Sequence, residues 1–224
     1  TLYGKDGSSY TVNFGTYNIN TWLGSTDLKG KTWAPDVIYN KEMKKWCMYY
    51  SITDNNHAVI VLLTADQIEG PYVYQAPIVF GGFNNNWGQH GDYTSTDIHL
   101  VQGALEMDAS LPARYTEVNW GDYWVSDIDP CVFYDDEGNL WMSYGSWSGG
   151  IFMLELDEKT GLRDYSVKYE SDYAANKKAG VSDPYFGKKI AGGCYVSGEG
   201  SYIEKIGNYY YLFMSYGFYS PTGG

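Results

Sequence analysis

One hairpin pattern recurs three times along this chain. Pro35-Asp36-Val37-Ile38-Tyr39 runs through a polar turn into Lys45-Trp46-Cys47-Met48-Tyr49-Tyr50-Ser51. Asp129-Pro130-Cys131-Val132-Phe133-Tyr134 does the same into Asn139-Leu140-Trp141-Met142-Ser143-Tyr144-Gly145, and Glu199-Gly200-Ser201-Tyr202-Ile203-Glu204 into Tyr209-Tyr210-Tyr211-Leu212-Phe213-Met214-Ser215-Tyr216-Gly217. The runs are rich in Val, Ile, Tyr, Trp and Phe, repeat with period two and are interrupted by Asn, Asp, Gly or Lys, which is the signature of paired strands and leaves helix nearly absent. Each unit is headed by a carboxylate. Asp36 to Tyr50, Asp129 to Tyr144 and Glu199 to Tyr216 span 14, 15 and 17 residues, so one supersecondary unit is reused.

The turns agree with this reading. Asp135-Asp136-Glu137-Gly138-Asn139 and Ile206-Gly207-Asn208 carry the residues that tight hairpin loops need. Further strand-like runs, Ala58 to Thr64 and Gly150 to Leu156, extend the first two units toward four-stranded meanders, and serial meanders predict an all-β propeller. The units start 93 and then 70 residues apart, more than the roughly 40 to 50 residues of an ordinary blade. Long insertions at about 81–127 and 163–193 account for the excess. Loops of that length in a compact domain usually wall or cover a site.

Composition bounds the partners. With 224 residues, 44% of them apolar, the chain can bury a core, and 18% aromatic residues with 27 glycines favour strands and turns within a single domain. A formal charge of -12 without a dense basic cluster argues against nucleic acid and anionic membrane as partners. No window reaches the roughly 18 apolar residues of a membrane span, and the opening Thr1-Leu2-Tyr3-Gly4 has no apolar core of a signal peptide. Cys47, Cys131 and Cys194 lie far apart and read as buried free thiols. His57, His90 and His99 lack ligand spacing, so no metal ligand is assigned.

A carboxylate at the start of a propeller's innermost strand points into the central funnel, where acids from different blades meet. Acetal cleavage needs such a meeting: one carboxylic acid protonates the leaving oxygen, and one carboxylate activates water or attacks carbon.

The runs Trp33-Ala34-Pro35-Asp36-Val37, Asp127-Ile128-Asp129-Pro130 with Leu140 to Ile151, and Gly198-Glu199-Gly200-Ser201-Tyr202-Ile203 with Tyr210 to Gly217 resemble glycoside hydrolase family 43, and within it the endo-α-1,5-L-arabinanases. The resemblance implies a five-bladed propeller and inverting hydrolysis of arabinan outside the cell. It implies Glu199 as general acid and Asp129 as the residue that raises the acid's pKa and orients it. Asp36 does not match the family's general base, which lies in an earlier His-Asp-Pro-like run, and neither Asp6 nor Asp27 has that context. The chain therefore resembles an internal portion of a catalytic domain. It is expected to be inactive without its base and to need the rest of the domain, covalently or as a second chain.

Two smaller departures and the substrate complete the expectations. Asp127 adds an acid two residues before Asp129, on the same face if the strand alternates there, and Ser201 replaces the usual proline. Arabinan is neutral, so its furanose rings would be held by aromatic faces and hydroxyl hydrogen bonds. Trp33 and Trp147 are the stacking candidates, Asp36 a further substrate contact, and Trp87 and Trp120 possible groove walls. The resemblance also implies Ca2+ in the central channel, with its ligands mostly outside this chain. Two alternatives stay open: an exo-acting arabinofuranosidase or β-xylosidase of the same family, and a non-catalytic carbohydrate-binding fragment.

Overall fold

A computed structural model describes residues 2–3, 6–7, 9–10, 22–23, 27–54, 57–83, 94, 96–110, 115, 125–147, 149–170, 182–193 and 198–217. Twelve strands fall within them: β1 (Leu2–Tyr3), β2 (Ser9–Tyr10), β3 (Thr32–Asn40), β4 (Lys45–Thr53), β5 (Ala58–Ala65), β6 (Val73–Gly81), β7 (Cys131–Tyr134), β8 (Leu140–Tyr144), β9 (Ile151–Leu156), β10 (Lys188–Ala191), β11 (Glu199–Ile206) and β12 (Tyr209–Ser215). Among the described residues α-helix is confined to Trp22 and Leu23 and to one turn, α1 (Ile98–Val101), which stands between the sheets in sequence. The fold is all-β.

Strands β3-β4-β5-β6 form one antiparallel meander and β7-β8-β9-β10 a second, each the four-stranded unit of a propeller blade. β11 and β12 form a hairpin without further strands among the described residues. The fourth strand of the second sheet, β10, lies inside the stretch read from sequence as an insertion. Its residues, Lys188-Lys189-Ile190-Ala191, show too little alternation to announce a strand.

Local chemistry explains the turns. Asn40 accepts the backbone N–H groups of Glu42 and Met43 and so closes the β3–β4 loop. Asp135 accepts from the backbone N–H groups of Glu137 and Asn139 and from the Trp141 indole, shaping the β7–β8 turn. Gly207, at φ +62°, supplies the left-handed residue of the two-residue β11–β12 loop.

The core lies between the two complete sheets and the segments joining them. β5 is buried along nearly its whole length because both of its faces are covered, so its sequence is a continuous apolar run. Phe80, Phe83, Ile98, Tyr115, Tyr144, Phe152, Tyr185 and Phe186 pack with it in one cluster. Tyrosine hydroxyls fasten the sheets together: Tyr49 donates to the Gly161 carbonyl at 2.7 Å, and Tyr185 accepts from the Phe80 N–H at 2.9 Å. Arg163 is fully buried, with its guanidinium donating to the carbonyls of Pro184 and Tyr185.

β12 is the contrast. Its alternation is as strong as that of β4, yet Tyr209 is 71% exposed, and Tyr210, Tyr211 and Phe213 are exposed as well. Cys47 and Cys131 are buried free thiols, as expected; Cys194 lies outside the described residues.

Candidate active site

The three hairpins converge on a cavity of about 550 Å³ lined by Trp33, Ala34, Pro35, Asp36, Ile128, Asp129, Pro130, Cys131, Glu199, Gly200, Ser201, Tyr202 and Ser215. Asp36, Asp129 and Glu199 are the acids of its wall. Asp6 and Asp27 do not line it.

Each first strand enters the cavity through a kinked residue. Ala34 (φ +43°), Asp129 (φ +56°) and Gly200 (φ +60°) all take left-handed backbone, and the registers of β3 and β11 slip at Trp33/Asp36 and Glu199/Tyr202. Such irregularities bend a strand and re-aim its side chains. They also identify the equivalent positions of the repeat as Ala34, Asp129 and Gly200. The three acids are therefore offset, not equivalent as counting from the carboxylates suggests: Glu199 precedes the kink, Asp129 occupies it, and Asp36 follows it by two residues.

Hydrogen bonds between neighbouring hairpins set the carboxylates. Asp36 Oδ2 accepts from the Val132 N–H at 2.5 Å and Oδ1 from the Val37 N–H at 2.9 Å, so both oxygens are engaged by backbone. Burial pushes its carboxyl above the usual range, and these two donors oppose the shift. Asp129 Oδ2 accepts from the Gly200 N–H at 3.0 Å, immediately beside Glu199, while the Asp129 N–H donates to Ser51 Oγ at 3.1 Å. Burial raises the Asp129 pKa, the Gly200 N–H lowers it, and the Glu199 charge raises it again. Asp129 thus feels the charge of Glu199.

Trp33 lines the cavity with its ring partly exposed, its indole N–H donating to the Gly30 carbonyl at 3.1 Å. Trp147 meets the site edge-on, its indole N–H donating to Glu199 Oε2 at 3.3 Å. Trp87, Trp120 and His90 lie outside the described residues. Asp127 is not beside Asp129 on the cavity wall; it is fully buried, with its carboxyl against Gly81. Alternation fails there because residues 125–130 are not in a strand and Asp129 reverses the local handedness.

Several wall residues escaped sequence reasoning. Cys131 lies at the cavity with its Sγ accepting from the Ile203 N–H at 3.5 Å, the same hairpin-to-hairpin link that Asp36 makes to Val132. Ser51 supports Asp129, Ser143 Oγ lies 3.0 Å from Ser201 Oγ, and Ser215 lines the wall. Recurrence of serine near the end of β4, β8 and β12 was the available signal. Among the described residues no group of three or more His, Cys, Asp or Glu is arranged to hold a metal ion.

Carboxylates drawn from separate antiparallel sheets thus line one open, aromatic-edged cavity. No family model matches the chain. It is 34% identical over 215 residues to the extracellular endo-α-(1→5)-L-arabinanase of Thermotoga petrophila, covering 92% of this chain and 37% of that protein. It is 32% identical over 196 residues to extracellular endo-α-(1→5)-L-arabinanase 2 of Bacillus subtilis, covering 86% and 32%. The crystal structure of the T. petrophila endo-1,5-α-L-arabinanase superposes with a TM-score of 0.60 at 32% identity over 88% of this chain and 35% of that one. A family 43 glycoside hydrolase from Bacillus licheniformis, YxiA, superposes at 0.57 with 28% identity over 93% and 40%. The chain is similar to family 43 glycoside hydrolases, and among them to the arabinanases. It spans about a third of the length of the curated relatives it matches.

Proposed function

We propose that the complete polypeptide hydrolyses α-1,5-linked L-arabinan with inversion, acting within the chain. Glu199 is the general acid and Asp129 the neighbour that orients it and modulates its proton. The observation that carries this reading is the Gly200 N–H bound to Asp129 Oδ2, which ties the two acids into one cavity from separate sheets. Glu199 gives its proton to the glycosidic oxygen, and the C–O bonding pair leaves with that oxygen as an alcohol. Water then attacks the anomeric carbon from the opposite face and loses its proton to a base. Asp36 is not assigned as that base: it lacks the context of the family's base run, and each of its oxygens already binds a backbone donor from β3 or β7. The base comes from outside the described residues, and without it the chain is inactive.

Trp33 offers a ring face to a furanose, and Asp36 holds the wall beside it. Calcium in the central channel, should the complete protein carry it, draws its ligands from elsewhere, and no step is assigned to it. The two meanders and the hairpin are read as three consecutive blades of a five-bladed ring. The β12 edge, unpaired among the described residues, and its exposed tyrosines are the surface that further strands, covalent or from a second chain, complete. Arabinan is a cell-wall-type polymer met outside the cell, and the similar proteins are named extracellular, which supports secretion.

The test is Glu199→Gln in the complete polypeptide. Cleavage of linear arabinan should fall about 10³-fold, with a ladder of oligosaccharides from the wild type. Wild-type rates would reject the role, and release of monosaccharide alone would make the enzyme exo-acting.

A further inference from the structure

We infer that Trp147 is a positioning residue that holds the Glu199 carboxyl for proton delivery, and not a stacking face for sugar. The inference rests on the reading of Glu199 as general acid and adds the residue that aims it.

The loop following β8 is built to bring this one side chain to this one carboxyl. Gly145 (φ +114°) and Gly150 (φ +93°) pinch its ends together: a Cβ on Gly145 would stand 2.2 Å from the Gly150 carbonyl oxygen, and one on Gly150 2.3 Å from that of Ala191. The Gly150 N–H donates to the Trp147 carbonyl at 3.1 Å and closes the loop. Trp147 itself sits at φ +48°, a left-handed conformation that a bulky residue adopts only when its surroundings impose it. Its two N–H groups then bind consecutive residues at the start of β11. The backbone N–H donates to the Gly198 carbonyl at 2.8 Å, and the indole N–H to Glu199 Oε2 at 3.3 Å. The first contact fixes where β11 begins, and the second fixes how the acid turns.

The indole N–H can only donate. Glu199 Oε2 is therefore engaged as an acceptor, which leaves Oε1 as the oxygen from which a proton can be delivered. As that proton passes to the glycosidic oxygen, negative charge develops on the carboxyl, and the indole bond becomes charge-assisted and stronger. An interaction that strengthens along the reaction raises kcat without tightening ground-state binding. A stacking face would instead act through KM.

The experiment uses the complete polypeptide with Trp147→Phe, which keeps an aromatic ring and removes the donor, and a second variant with 3-benzothienylalanine at position 147, which keeps the bicyclic shape and replaces N–H by sulfur. Rates are measured on linear arabino-oligosaccharides and on 4-nitrophenyl arabino-oligosaccharides, whose leaving group needs little protonation. For both variants kcat on the unactivated linkage should fall about tenfold, KM should stay within twofold, and kcat on the nitrophenyl substrate should stay within twofold. Wild-type kcat on both substrates in the benzothienyl variant overturns the inference; so does an equal fall on both, or a change confined to KM. Glu199→Gln run alongside separates the levels. If it leaves arabinan cleavage intact, the general-acid reading itself fails, whereas its inactivity beside fully active Trp147 variants removes only the role of Trp147.

Discussion

The fold treats two sets of buried carboxyls in opposite ways. At the cavity, Asp36 and Asp129 are only partly buried, and each receives backbone N–H donors from the neighbouring hairpin. Behind it, Asp127 is fully buried and neither of its oxygens has a donor among the described residues; one oxygen each of Asp97 and Asp183 is similarly bare there. Desolvation disfavours the charged form in both places; Asp97 and Asp183 recover part of it through donors to their other oxygen, whereas Asp127 has no donor among the described residues. Burial drives Asp97 up to about 7 against the opposing Tyr185 hydroxyl and Arg163, and drives Asp127 well above the carboxylate range, with the Asp97 charge adding to the shift. Two residues separate Asp127 from Asp129. Between these two, the supply of N–H groups, not distance along the chain, decides which acid is kept available for ionisation and which stores a proton.

The largest expected effect breaks the buried side of this comparison sterically. A Cβ on Gly81 would stand 2.5 Å from the Val125 carbonyl oxygen and 2.6 Å from Asp127 Oδ2, neither of which can move away in a filled core. Gly81→Ala should cost about 3 kcal/mol and lower the Tm of its domain by about 6 to 12 °C in scanning calorimetry. A shift below 1 °C would mean that the Asp127 carboxyl does not lie against Gly81.

A smaller effect concerns pH. A buried acid whose folded-state pKa is raised binds its proton more tightly when folded than when unfolded, so its contribution to stability is greatest in acid and declines as pH rises. For Asp97 the decline begins near the unfolded value of about 4 and continues through about 7, and Asp127 extends it to higher pH. Asp127→Asn should flatten the fall of the urea midpoint between pH 5 and 8, roughly the window just given. An unchanged pH slope in that variant would show that Asp127 is ionised in the native protein.

The hairpins were legible in the sequence because period-two alternation is a local property, and Asp129 and Glu199, singled out by runs that carry the family resemblance, line one cavity in the structure. What was not legible depends on backbone handedness and on neighbours distant in sequence. Counting placed Asp36, Asp129 and Glu199 at one position of the repeat, but the left-handed residues Ala34, Asp129 and Gly200 show that their true registers differ. Alternation placed Asp127 with Asp129, yet alternation holds only inside a strand. Trp147 reads as an aromatic face in any sequence; only its loop shows that an edge is what it presents. β10 was hidden because Lys188 and Lys189 interrupt the pattern that its neighbour β9 keeps.

The smallest expected effect sharpens the cavity side of the comparison. Ser51, on β4, receives the Asp129 N–H through its hydroxyl at 3.1 Å, at the residue whose left-handed backbone turns its carboxyl toward Gly200. Ser51→Ala removes the acceptor and leaves a partly buried N–H unpaired, at a cost of about 1 kcal/mol in stability. The consequence for activity should exceed what that figure implies for folding, because Asp129 can then relax toward an ordinary backbone conformation and pull away from the Gly200 N–H. Ser51→Thr keeps the hydroxyl and should restore kcat on arabinan, whereas Ser51→Ala and Ser51→Val should both lower it severalfold with KM little changed. Equal activity in all three would show that the Gly200 contact alone holds Asp129, and that hydrogen bonds from one hairpin to the next are redundant where the wall acids meet.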